Sequence, residues 1–149
     1  MPNLPQDFSQ ADKLSRFVQA QKLWYPTVIQ ELTAGQKRSH WMWFIFPQLT
    51  KLGYSANAKY YGIDDFEQVK AYLSHPILGE RLRACCQILL DLPSDDGVAI
   101  FGELDCLKLQ SSMTLFDVVC ADDIFADVLH KFFADERDGA TLDEKSLPI

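Results

Sequence analysis

Asp105, Lys108 and Ser112 are the residues of this chain whose types and spacing are best suited to chemistry. They stand at positions i, i+3 and i+7 and so share one side of a helix, which turns by about 100 degrees per residue. On that side a carboxylate can hold an ammonium group in place, and the ammonium group can bind an anion or activate the serine hydroxyl. An intrahelical ion pair, with the serine bonded back to a carbonyl, produces the same pattern without any activity.

A helix over residues 103–120 is predicted to carry this polar row between two apolar stripes. The first stripe consists of Leu104, Leu107, Ser111, Leu115 and Val118. The second consists of Cys106, Leu109, Met113, Phe116 and Cys120. The solvent face is predicted at Glu103, Gln110, Thr114 and Asp117, opposite the polar row. Because an isolated buried charge is costly, the row must either form a paired network in the core or line a cleft.

A second segment brings cationic and aromatic residues that such a cleft could use. Lys37 and Arg38 precede Ser39, His40 and an apolar run over residues 41–46 that contains two tryptophans. We interpret the run as a short buried helix that Ser39 caps and Pro47 ends. An aromatic wall beside a cationic loop suits a nucleotide-like ligand, and a core helix whose indole N–H groups bond to carbonyls has the same composition.

The candidate site residues follow from these two segments and from the first helix, where an amide and a phenol point inward one turn apart. The catalytic candidates, for a reaction that the sequence does not specify, are Asp105, Lys108 and Ser112. The ligand-binding candidates are Lys37, Ser39, His40, Trp41, Trp43, Gln21, Tyr25 and Ser111. Gln21 and Tyr25 are equally compatible with a core glutamine bonded to the backbone and a tyrosine with its hydroxyl at the rim.

The rest of the chain is predicted to be helical, with an all-α fold. We expect a single compact domain of about seven or eight mostly short helices, with an ordered core over about residues 9–142 and short tails. The first helix runs to Gly35 and is kinked or divided at Pro26. Later helices are predicted to begin at Ser55, at Asp64 with Glu67 as a capping pair, at Pro76, at residues 94–96 and at Asp122. In the helix after Pro76, Arg81 borders the apolar face and Arg83 points away.

Composition narrows the possible classes of function. The net charge of −7 argues against nonspecific nucleic-acid binding. Its distribution is uneven, since residues 1–61 carry a net charge of +4 and residues 62–149 a net charge of −11. The longest apolar run, six residues, is far shorter than the roughly 20 of a membrane helix. We expect a cytoplasmic protein with four free cysteines, no metal site, no cofactor and no membrane partner, because neither a signal-peptide pattern nor a zinc-ligand spacing occurs.

Several specific motifs are similar to those of a bacterial family known as domain of unknown function 1810. They are SHWMWFIFPQL at residues 39–49, HPILG at 75–79, IFG at 100–102 and SSMTLF at 111–116. The resemblance covers residues 14–142 and implies a small, stand-alone, all-helical domain. It implies no particular activity or ligand.

Two hypotheses of function remain. In the first, residues 39–47 and 105–112 line one pocket that binds a small anionic ligand, such as a nucleotide-type molecule, with or without chemistry. In the second, the protein is a non-catalytic helical interaction or adaptor protein, and the polar row is a buried network that fixes helix register. The sequence does not give the oligomeric state.

Overall fold

Nine α-helices follow one another in residues 10–142, the part of the chain that this computed structural model describes. The predicted tails lie outside the described residues. The helices are α1 Gln10–Ala34, α2 Met42–Ile45, α3 Ala56–Tyr60, α4 Phe66–Ser74, α5 Leu78–Asp91, α6 Gly97–Phe101, α7 Glu103–Val119, α8 Ile124–Phe133 and α9 Gly139–Leu142. A 3-10 turn over Thr50–Leu52 precedes α3. Within the described residues the chain forms no strand, apart from one parallel bridge between Leu49 and Ile63, and the all-α prediction is confirmed.

Helix α7 lies at the centre of the fold. It packs against α8, α6, α9, α4 and α2, while α1 packs against α5, α2 and α4. Leu109, Met113 and Phe116 of α7 are fully buried and join the continuous apolar core. The helix that carries the polar row is therefore also the main support of the domain. No helix in the described part of the chain combines the length and apolar character needed to span a lipid bilayer.

Helix α1 is 25 residues long and continues through Pro26 without division. Phe17, Val28 and Leu32 of this helix are fully buried, as the periodicity predicts. Trp24, which the pattern places on the same face, is 37% exposed instead. The apolar stripe of α1 is therefore not covered along its whole length.

The helix starts agree with the sequence prediction at some positions and differ by one residue at others. The side chains of Ser55 and Asp96 accept hydrogen bonds from the amides of Ala58 and Ala99, at 3.0 Å each. At α4 the capping residue is Asp65 and not Asp64, whose carboxylate accepts a hydrogen bond from the Thr50 hydroxyl.

At α8 the capping residue is Asp123 and not Asp122. The backbone of Asp122 has a positive φ of 63°, which a helix N-cap in the extended region cannot have. Adjacent aspartates make such a one-residue error easy, because either side chain can cap a helix.

Helix α5 begins at Leu78, two residues after Pro76. The ring Nδ1 of His75 accepts hydrogen bonds from the amides of Ile77 and Leu78, at 3.1 and 3.3 Å. The prediction that Arg83 points away from the core is wrong, because its guanidinium pairs with Asp123 at 3.1 Å and connects α5 to the start of α8.

The faces of α7 differ from the prediction on the side assigned to solvent. Thr114 is fully buried. Its hydroxyl donates to the carbonyl of Gln110 and accepts from the amide of Asp138 at 3.0 Å. Asp117 pairs with Arg137 at 3.1 Å. The chain beyond α8 folds back over this face and covers it. Conversely, Leu104 and Leu107 are 75% and 59% exposed, although the pattern assigns them to an apolar stripe.

Candidate functional site

The two sequence motifs meet in space through Asp105. Its Oδ2 atom lies 2.7 Å from Nζ of Lys37, in the loop between α1 and α2. Its Oδ1 atom lies 3.5 Å from Nζ of Lys108, one turn along α7. The side chain of Lys37 is only 6% exposed, whereas those of Asp105 and Lys108 are 21% and 33% exposed. The central carboxylate therefore balances one buried and one half-buried cation.

The two lysines also contact the tryptophans of the aromatic segment. Nζ of Lys37 lies 5.2 Å from the ring centroid of Trp41, and Nζ of Lys108 lies 5.5 Å from that of Trp43. Both distances permit cation–π attraction. The amide of Lys37 also donates to the carbonyl of Ile100, at the end of α6. These contacts fasten the loop before α2 to the junction of α6 and α7.

Glu31 organises the same loop from the last turns of α1. Its Oε1 atom accepts hydrogen bonds from the amides of Arg38 and Ser39, at 2.7 and 3.0 Å, and from Nε1 of Trp41 at 2.9 Å. Its Oε2 atom accepts from the Ser39 hydroxyl at 2.6 Å. Burial alone would raise the pKa of Glu31, but the bonds from Ser39, Arg38 and Trp41 lower it to about 2. The carboxylate is ionised at neutral pH and holds the loop in shape.

Ser39 and His40 therefore have positions that the sequence did not predict. Ser39 does not cap α2, because the residue at the N-cap position is Trp41 and no side chain there bonds to the helix. The Ser39 hydroxyl is committed to Glu31. His40 is exposed.

Ser112 is fully buried on α7, and among the described residues its hydroxyl has no hydrogen-bond partner. It makes no hydrogen bond with Lys108 that would activate it as a nucleophile. Trp43, Lys108 and Tyr61 line a cavity between the motifs, with a volume of about 10 Å³. A space of this size admits about one water molecule. In the conformation described, it does not admit a nucleotide.

Three other ligand-binding candidates lie apart from the lysines. The Gln21 amide is buried and donates to the carbonyl of Phe44 at 2.7 Å and to the Tyr72 hydroxyl at 3.2 Å. The Arg81 guanidinium stacks on the ring of Tyr25, with its carbon 4.5 Å from the centroid. Ser111 lies on another side of α7, where two acceptors, a carboxylate oxygen of Asp138 and the carbonyl of Leu107, lie within 3.1 and 3.2 Å of its hydroxyl.

Sequence reasoning missed a groove that is much larger than the cavity between the two motifs. This groove, between α6, α7 and the end of α8, has a volume of about 560 Å³. Its lining includes Asp95, Glu103, Leu107 and Phe133. The available signal was the acidic residues on either side of α6: Asp95 and Asp96 suggest a helix cap, and Glu103 suggests a solvent face.

The chain matches a family model described as "Protein of unknown function (DUF1810)" over residues 11–144. It belongs to the DUF1810 family. A similar solved structure is the crystal structure, at 1.38 Å, of the conserved hypothetical protein Rv1873 from Mycobacterium tuberculosis. The two proteins are 43% identical, the alignment covers 92% of this chain and 97% of that one, and the TM-score is 0.87. No curated protein was found to match the chain. The family resemblance expected from the motifs is thus confirmed.

Proposed function

We propose that this DUF1810 protein is a non-catalytic helical interaction domain in which the polar row is structural. The observation that carries the proposal is the pairing of Lys37 with Asp105 at 2.7 Å, with Lys37 only 6% exposed. A lysine poised for an anionic ligand needs an accessible ammonium group, whereas this one is enclosed and already paired. The row then fixes the register of α7 against the loop that precedes α2.

The loop contacts support the same interpretation. Lys37, Ser39 and Trp41 each bond to Asp105 or Glu31, so their polar groups serve to connect α1, the loop and α7. Paired polar groups of this kind favour one arrangement of the elements around them. These residues, which the sequence suggested as ligand contacts, thus bond to other residues of the fold.

The groove favours binding over chemistry. Cys106 is the thiol in its lining, and burial, together with the negative charge of Asp96, raises the pKa of this thiol. A cysteine that remains protonated at neutral pH is a poor nucleophile. The groove therefore offers shape and charge to a partner.

Replacement of Lys37 by methionine tests the structural role. Removing one partner from a buried ion pair costs about 3–5 kcal/mol when the other charge is left alone. Because Lys108 stays within 3.5 Å of Asp105, we expect a loss near the lower limit, about 3 kcal/mol, which lowers the Tm by about 6–12 °C. Thermal denaturation followed by circular dichroism measures this change.

Two matched variants and one ligand screen complete the test. Lys59→Met removes an exposed lysine of α3 and should leave the Tm unchanged. Lys108→Met removes a one-third-exposed partner and should cost at most about 1 kcal/mol. The anionic-pocket hypothesis makes the opposite prediction, namely a Tm for Lys37→Met that is unchanged or raised. It also requires some nucleotide or phosphometabolite at about 1 mM to raise the wild-type Tm, and that result would refute our proposal.

A further inference from the structure

The groove between α6, α7 and α8 is lined by both acidic and apolar side chains. Carboxylates line it at Asp95, Asp96, Glu103 and Glu136. Apolar side chains line it at Val98, Leu107, Phe132 and Phe133. Among the described residues, no lysine, arginine or histidine lines it. A cationic group that enters the groove therefore meets acceptors of one sign and no competing cation.

Three exposed apolar side chains lie in or next to the groove. Val98 and Leu107, both in the lining, are 50% and 59% exposed. Leu104 lies one helical turn from Leu107 on α7 and is 75% exposed. Single exposed apolar residues are common, but three that adjoin one acidic groove form a surface that a partner can bury.

We infer that this groove binds a cationic amphipathic helix of a partner protein. The inference rests on the proposed function and names its surface and the chemistry of its partner. The apolar face of the partner helix covers Val98, Leu104 and Leu107, and its lysines or arginines lie along the carboxylates. This is the helix-in-groove mode of recognition, in which apolar anchors at helical spacing fill the groove.

A small organic cation would cover less of this surface than a helix. A volume of about 560 Å³ falls in the range of small-molecule sites, which is about 300–1,000 Å³. A polyamine in this space, however, would neutralise the carboxylates and leave Leu104, outside the lining, in contact with water. A helix with one apolar and one basic face covers both kinds of surface.

The apolar contacts and the ion pairs are expected to respond differently to salt. Burying a leucine that is now exposed contributes to affinity through the hydrophobic effect, which does not depend on charge. Exposed ion pairs contribute less. Salt at about 0.1 M or above weakens them, because it screens charges over a distance of about 8–10 Å. Affinity should therefore depend on the leucines at all salt concentrations and on the carboxylates mainly at low salt.

The binding experiment uses a fluorescently labelled synthetic helix, with leucine on one face and lysine on the other, and measures anisotropy at 20 and 200 mM NaCl. For Leu107→Ser we expect binding about tenfold weaker at both salt concentrations, in line with loss of much of one leucine contact. For the double change Glu103→Gln and Glu136→Gln we expect weaker binding at 20 mM and a smaller loss of affinity with added salt.

Matched controls lie on other surfaces. Leu23→Ser removes a leucine of α1 that is 80% exposed, and Glu80→Gln neutralises an exposed carboxylate of α5. Neither residue lines the groove, and both variants should bind the labelled helix as the wild type does. Circular dichroism spectra of all variants verify that they are folded.

Four results would overturn the inference. The first is absence of peptide binding at 1 mM. The second is equal affinity for polylysine or spermine, with no effect of Leu107→Ser, which indicates charge attraction alone. The third is an equal loss of binding in the Leu23→Ser control. The fourth is concentration-dependent self-association that Leu107→Ser abolishes, which identifies a second copy of this chain as the occupant. The structural role of the polar row is tested separately, by the stability of Lys37→Met. Failure of the groove inference therefore does not decide that role.

Discussion

Replacing Glu31 by glutamine isolates the effect of one charge on the stability of the fold. Glutamine keeps the size of the side chain, its oxygen can still accept three N–H donors, and its amide can donate to the Ser39 hydroxyl. The substitution removes the negative charge that strengthens the hydrogen bonds from the amides of Arg38 and Ser39 and from the Trp41 indole. Bonds to charged groups contribute about 1 kcal/mol more than neutral bonds, so three such bonds give about 3 kcal/mol.

The pKa of Glu31 leads to the same magnitude. A value lowered from about 4.5 to about 2 corresponds to about 3 kcal/mol of preference of the folded state for the ionised carboxylate. The sign follows from the direction of the shift. Because the folded pKa is depressed, the contribution is complete above the unfolded pKa and is lost as the pH falls through about 2. The difference between wild type and Glu31→Gln should narrow to about 2 kcal/mol at pH 3.5.

Urea denaturation at pH 7 and pH 3.5, followed by tryptophan fluorescence and circular dichroism, measures both quantities. Glu80→Gln, on an exposed turn of α5, is the matched control and should change the free energy of unfolding by less than about 0.5 kcal/mol. A loss below 1 kcal/mol for Glu31→Gln at pH 7, or a difference that does not narrow with acid, would refute the account of Glu31 as the organising acceptor of the loop.

Two further predictions concern packing and thiols. Gly79→Ala should lower the stability by about 1–3 kcal/mol in thermal denaturation, because a Cβ atom there would lie 2.1 Å from the Leu73 carbonyl oxygen; Gly139→Ala, with nothing within 4 Å, should have little effect. Titration with a thiol-reactive disulfide should modify Cys120 first in the native protein, slowly at pH 7 because burial and Asp123 raise its pKa, and all four cysteines in urea. Rapid reaction of a second native thiol would contradict the packing described.

The sequence predicted what depends on local chemistry. Periodicity identified α1 and α7, and side-chain capping identified the starts of α3 and α6 at Ser55 and Asp96. These signals depend on residues within one or two turns of each other, so a single sequence contains them.

The errors arose where distant segments pack together. Thr114 and Asp117 have the polarity of a solvent face, and the chain after α8 covers them. Leu104 and Leu107 have the polarity of a core face, and no element within the described residues covers them. Periodicity shows that a helix has two faces, but the topology decides which neighbour each face meets.

The candidate site was predictable in part for the same reason. The sequence selected Asp105, Lys108 and the loop from Lys37, and the structure brings them together. It did not reveal Glu31, because a glutamate in the last turn of a helix has no local mark of the four donors that reach it from the following loop. Nor did it reveal the acidic groove, which three helices form together. The ligand roles of the other candidates remain predictions.

The parallel bridge between Leu49 and Ile63 has a consequence for how this family can diversify. The amide of Thr50 bonds to the carbonyl of Ile63, and the amide of Ile63 to the carbonyl of Gln48, so the two ends of the intervening segment are fixed side by side. Most of that segment is exposed, including Tyr54 at 95%. A loop whose ends are already closed tolerates a change of length at little entropic cost. The exposed part of residues 51–60 is thus the position where evolution, or a protein engineer, can lengthen the chain while the other eight helices of the described residues stay intact.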